Sequence, residues 1–70
     1  MLRIRRERLQ RGWNQTQLAA RANMSTTEVS RIETGRAIPH PNQVLRLARA
    51  LKIPPDELLE PVAQMDGEVA

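Results

Sequence analysis

Apolar residues in this chain recur three and four positions apart, and each run is bounded by residues that start or stop helices. The first element, Leu2 to Arg11, carries only Leu2, Ile4 and Leu9 as apolar positions and stops at Gly12, so it lies over a core with Arg stems packed along it. In "WNQTQL", Asn14 is an N-cap, Gln17 stands at the third helical position, and Trp13 and Leu18 take the two positions of a hydrophobic staple. A second helix therefore starts at Gln15, buries Leu18, Ala19 and Ala22, and ends at Asn23, a residue that tolerates the left-handed conformation of a tight turn. The same start signal recurs at once, with Ser25 and Glu28 as a capping box and Met24 and Val29 as a staple, which opens a third helix over residues 25 to 34. Pro41 begins a fourth, whose stripe of Val44, Leu45, Leu47, Ala48 and Leu51 leaves Arg46, Arg49 and Lys52 outside. "IPPDELLEP" predicts a fifth, short helix with acids at its start and Pro61 at its end; the remaining tail reads as frayed. The spacing thus predicts an all-α domain of five short helices over residues 1–60, followed by a flexible tail over 61–70.

Helices two and three are separated by about three residues and must cross steeply, with small Ala19 and Ala22 allowing close approach. That is helix-turn-helix geometry. On a helical wheel, Ser25, Val29 and Ile32 fall on one side of the third helix, and Thr26, Thr27, Ser30, Arg31 and Thr34 on the other. Thr and Ser are mediocre helix formers, so propensity does not account for them. A DNA major groove does: it admits one helix, and base edges there are read by short hydroxyls, by methyls against thymine and by Arg donating in pairs to guanine. Hydroxyl residues near a helix start also serve capping, so Thr26 or Thr27 alone says little. The pattern together with Arg31 says more.

Charge changes the picture in the same direction. Residues 1–40 hold eight Arg against three Glu, a net +5, whereas residues 41–70 hold three cations against five acids, a net −2. The first half therefore has an electrostatic reason to meet a polyanion. There is no Cys, hence neither disulfide nor thiolate metal site, which fits a reducing cytoplasm. The Arg-rich N-terminus is no signal peptide, and no stretch approaches a membrane span, so a cytoplasmic protein with no membrane partner is expected.

The run "WNQTQLAARANMSTTEVSRIETGRAIPHPNQVLRLARALKIPPDELL" resembles the Cro/C1-type helix-turn-helix domain of phage repressors and of the Xre family of bacterial regulators. Gln15, Leu18-Ala19, Val29, Ile32, Glu33-x-Gly35, Pro39 and "LARAL" fall at that family's spacing, and the likeness covers Ile4 to about Leu59. It implies a lambda-repressor-like fold and a transcriptional regulator, a repressor in the first instance, that binds double-stranded DNA. Residues 25–34 would then be the recognition helix, with Thr26, Thr27 and Arg31 at base-reading positions and Ser30 beside them. Glu28 could accept from cytosine, or pair with Arg31 and complete the cap; the cap is favoured. Asn14 and Gln15 are expected at a phosphate, Arg36 as the charged clamp after the recognition helix, and Asn42 as a weaker neighbour. The resemblance also makes Arg8 and Glu33 a buried ion pair. One recognition helix reads few base pairs, so a homodimer on a pseudopalindromic operator is expected, with Leu58, Leu59, Val62 and Ile38 as candidates for contact between copies. Where the family usually has Gly at the turn, Asn23 stands here, and the loop "GRAIPHP" carries only Arg36 as a certain charge where the family is often rich in Lys and Arg.

Other chemistry finds little support. His40 is the single His and has no second ligand or nucleophile at catalytic spacing; it caps the fourth helix or grazes a phosphate. Trp13 reads as core rather than a base-stacking platform, and Asp56 with Glu57 serve a helix dipole. No catalytic residues, metal site or cofactor are expected. An antitoxin of this fold would bind DNA and also neutralise a toxin protein, and a protein-interaction module would turn the Thr/Ser/Arg face to a protein.

Overall fold

The computed structural model describes residues 1–63, and within them the chain forms α1 (Arg3–Gln10), α2 (Gln15–Ala22), α3 (Thr26–Glu33) and α4 (Pro41–Leu51), followed by a single 3-10 turn at Pro55–Glu57. Residues 64–70, most of the expected tail, lie outside the described residues. The all-α, lambda-repressor-like architecture is as expected, with four α-helices and a turn in place of five helices. The difference has a physical cause. The carbonyls of Leu58 and Glu60 accept from Ile4 N–H (2.9 Å) and Arg3 N–H (2.8 Å) of the first helix instead of continuing a helix of their own. These two donors are among the unsatisfied N–H groups at the start of α1, so the C-terminal segment caps the first helix. Pairing continues through an antiparallel bridge between Leu2 and Pro61, and through Val62 N–H donating to Met1 O at 2.8 Å. Pro61 and Val62, the first residues of the expected tail, therefore pair with the N-terminus.

Both predicted capping boxes are formed. Asn14 Oδ1 accepts from Gln17 N–H (2.7 Å) while Gln17 Oε1 accepts from Asn14 N–H (2.8 Å), and Ser25 and Glu28 make the same exchange at 3.1 and 2.9 Å. At α4 only half of such a box exists: Gln43 Oε1 accepts from His40 N–H at 2.8 Å, and the imidazole makes no cap bond.

Each of the four helices ends in the same way, with one residue at positive φ: Gly12 (73°), Asn23 (56°), Gly35 (76°) and Lys52 (57°). In each case the following N–H reaches back five residues, as from Met24 to Ala19 O (2.8 Å) and from Arg36 to Arg31 O (2.8 Å), so orphan carbonyls at the helix ends are satisfied. Asn23 does adopt the left-handed conformation that the steep turn between α2 and α3 requires.

These turns aim the apolar stripes at one core. Ile4 from α1, Leu18, Ala19 and Ala22 from α2, Val29 and Ile32 from α3, and Leu47 and Leu51 from α4 are buried together with Leu58, and Trp13, Met24 and Val44 pack on its edge. Around α1 the Arg residues are partly fastened. Glu7 takes Arg11 at 2.8 Å and Arg3 at 3.1 Å, Arg3 also meets Glu57, and Arg11 donates to Leu51 O. The Arg11 hydrogen bond, aided by Arg3, holds the Glu7 carboxyl below its ordinary value against the opposing effect of burial.

Candidate nucleic-acid interface

α3 is anchored at both ends before its outer face is considered. At its start, Glu28 closes the capping box with one carboxylate oxygen and accepts from Gln43 Nε2 of α4 with the other, at 3.0 Å. The bonds from Ser25 hold its carboxyl below the ordinary range, with the positive charge of Arg46 contributing. Between the cytosine and cap alternatives, the geometry gives Glu28 to the cap, and it makes no ion pair with Arg31.

At the other end, Glu33 is buried and takes a two-pronged bond from Arg8 of α1, Nε to Oε2 at 2.7 Å and Nη2 to Oε1 at 3.0 Å. The remaining Arg8 nitrogen donates to Trp13 O at 2.9 Å, and Gln15 Nε2 donates to Glu33 Oε1 at 3.1 Å. One ionic node therefore joins α1, the start of α2 and the end of α3. Paired forks of this kind fix orientation as well as distance. Gln15, expected at a phosphate, has its amide nitrogen turned into this node.

Between these anchors α3 buries Val29, Ile32 and Glu33 and turns the opposite face outward. Thr27 and Arg31 are exposed, Thr26 and Ser30 half-buried, and the Arg31 guanidinium takes part in no ion pair among the described residues. Thr34, on the same face, folds its hydroxyl back onto Ser30 O (2.9 Å) and acts on the helix end. Thr26 Oγ1 lies 3.2 Å from Thr16 Oγ1, which brings a hydroxyl from the first turn of α2 to the edge of this face. Sequence reasoning passed over Thr16; its position beside the Asn14 cap was the available signal.

Three of the residues expected to contact the DNA backbone are exposed. Asn14 is exposed at the start of α2, Arg36 is exposed immediately after α3, and Asn42 is exposed on the first turn of α4. A cleft of about 200 Å3 separates Arg31 from the following loop, lined by Glu28, Ile32, Ala37, Ile38, His40 and Gln43. Ile38 stands out of this loop 93% exposed, beside buried Pro39.

The candidates for contact between copies divide. Leu58 is fully buried in the chain's own core, which removes it from any surface; Leu59 is 37% exposed and Val62 half-buried. The reason lies in the 3-10 turn, whose tighter winding points Leu58 inward and leaves its neighbour Leu59 outside. Leu45, counted within the apolar stripe of α4, is 43% exposed.

Among the described residues no helix is long and apolar enough to cross a membrane. A family model described as helix-turn-helix matches residues 4–58, from the buried Ile4 to the buried Leu58, and so takes in all four helices and the ionic node. No curated protein and no solved structure matches the chain. With most of its length matched and α2 packed on α3 across the left-handed turn at Asn23, the chain belongs to the Cro/C1-type helix-turn-helix family of DNA-binding transcription regulators.

Proposed function

We propose that this DNA-binding regulator is a sequence-specific repressor that acts as a homodimer on a pseudopalindromic operator and occludes a promoter. The observation that carries the reading is the outward face of α3, where Arg31, in no ion pair among the described residues, lies among Thr26, Thr27 and Ser30 on a helix clamped at both ends. Rigid placement matters because a base contact is a pair of hydrogen bonds of fixed geometry, and each good one discriminates by about 1–3 kcal/mol. In this reading the N-terminal half of α3 enters the major groove, with Arg31 reading guanine and the Thr residues offering hydroxyl and methyl groups. Arg36, Asn14 and Asn42 hold the phosphates, together with the N–H groups at the start of α2. Gln15 positions Glu33 rather than a phosphate. Leu59 and Val62 supply the contact between copies, which sets half-sites about 34 Å apart.

Selection from a random duplex library by the purified chain, at ~150 mM salt where non-specific phosphate binding is weak, tests this. Enrichment of an inverted repeat is expected. Recovery of no motif, with only weak and salt-sensitive binding, overturns the reading.

A further inference from the structure

A second strongly positive feature lies away from the outward face of α3. The end of α2 and the middle of α4 enclose a cleft of about 390 Å3, lined by Arg21, Ala22, Asn23, Arg46, Arg49 and Ala50. That volume falls within the roughly 300–1,000 Å3 typical of ligand-holding clefts. None of its walls is acidic, and none of the three guanidiniums takes part in an ion pair among the described residues. Arg21 is held by stacking, its guanidinium carbon 4.3 Å from the centre of the Trp13 ring. The nearby carboxylate of Glu28 is already engaged by Ser25 and Gln43. Three cations therefore line one open concavity with small Ala residues between them, a local excess of positive charge that favours an anionic occupant.

We propose that this cleft receives an acidic protein segment, with carboxylates bridged by Arg46 and Arg49 on one wall and Arg21 on the other. Arg–carboxylate pairs favour this arrangement because each guanidinium presents a planar fork that a carboxylate matches.

The choice of protein over duplex DNA follows from direction and rests on the placement of α3 given above. At 100° per residue, Arg21 lies about 140° around α2 from Thr16, the residue that touches the start of α3's outer face. On α4, Arg46 is turned about 60° and Arg49 about 120° from Gln43, which bonds to Glu28. Arg21 and Arg49 thus turn away from the face that enters the groove, with Arg46, whose charge reaches Glu28, at the near rim, and the far wall of the cleft stays open while α3 is occupied. An acidic partner held there would ride on the DNA-bound protein, a route by which a second protein tunes the regulator.

Anisotropy of fluorescein-labelled octaglutamate with the full chain at ~150 mM salt tests the proposal; at that ionic strength charges farther than about 8 Å apart are largely screened. Saturable binding is expected to the free protein and to protein preloaded with a duplex. Arg46→Gln with Arg49→Gln should weaken it at least tenfold, whereas Arg5→Gln with Lys52→Gln, an equal loss of charge outside both the cleft and the DNA-contacting set, should change it less than twofold. Arg49→Glu alone provides a second variant, and all are exposed positions whose melting temperatures should hold. Equal loss in the two double variants, or no saturable binding, overturns the proposal. Displacement of the peptide by duplex, with parallel loss of duplex affinity in the cleft variant, reassigns the cleft to the DNA backbone and overturns it too. If Arg31→Ala leaves duplex binding intact while the cleft variant still loses the peptide, the recognition reading fails and this proposal stands.

Discussion

Arg8 and Arg31 lie on neighbouring short helices and have opposite surroundings. The Arg8 side chain is 8% exposed and bonded to Glu33 and Trp13; the Arg31 side chain is exposed and in no ion pair among the described residues. The first region builds the frame, and the second is left for whatever the frame presents it to. On the placement of α3 proposed above, stability and recognition separate, and substitutions in the two regions should have effects that scarcely overlap.

The largest effect is expected at the node. Glu33→Ala leaves the Arg8 guanidinium buried without its carboxylate and should cost about 3–5 kcal/mol, read as a lower urea midpoint. Because small domains have total stabilities of only about 5–15 kcal/mol, much of this variant should be unfolded at physiological temperature. Arg31→Ala should do the reverse. Operator affinity should fall by about 1–3 kcal/mol, with discrimination relaxed at one base pair in each half-site. Its unfolding free energy, from urea titration, should stay within the ±0.5 kcal/mol of ordinary surface changes. A loss of stability as large as that of Glu33→Ala would show that the two regions are one.

Features fixed by short-range rules were legible in the sequence. Asn14 with Gln17, Ser25 with Glu28, and Asn23 in the turn each act within a few residues, so they placed α2 and α3 and the tight turn between them. The outer face of α3 followed from helical periodicity. The Arg8–Glu33 pair came from family resemblance, because 25 residues separate the partners and no local rule joins them. What escaped depends on tertiary packing: Gln15 turning to Glu33, Gln43 reaching Glu28, Thr16 meeting Thr26, and the C-terminal segment capping α1. Leu58 and Leu59 show the limit plainly. They are identical and adjacent, and only the 3-10 turn decides which is buried.

The capping box at the start of α3 lies between the two regions and should give an intermediate effect. Ser25→Ala removes the acceptor for Glu28 N–H and should cost about 1 kcal/mol by thermal melting. The box also links stability to acid. Glu28 and Glu7 both titrate below their ordinary value of 4.5 in the folded chain. Each therefore contributes stability that is fully present above that value and lost as pH falls through the lower, folded one. The urea midpoint of the wild type should drop on acidification through this window, and that of Ser25→Ala should drop less.

The smallest effect separates two residues that share a conformation. Lys52 (φ 57°) and Asn23 (φ 56°) each end a helix in the left-handed region, where the Cβ of most residues meets a carbonyl oxygen at a cost of roughly 1–2 kcal/mol. Asn eases that cost with its short polar side chain; Lys has no such means. Glycine relieves the clash but adds freedom to the unfolded chain, which takes back about 0.5–1 kcal/mol. Lys52→Gly should therefore stabilise by about 0.5 kcal/mol, a rise of a few degrees in melting temperature for a domain this small. Asn23→Gly should change it little, since relief and entropy nearly cancel there. Both positions are exposed, so neither exchange disturbs the core, and the difference between them isolates backbone strain. Were Asn23→Gly the more stabilising of the two, the strain would lie in the α2–α3 turn, and the crossing that presents α3 would be held under tension.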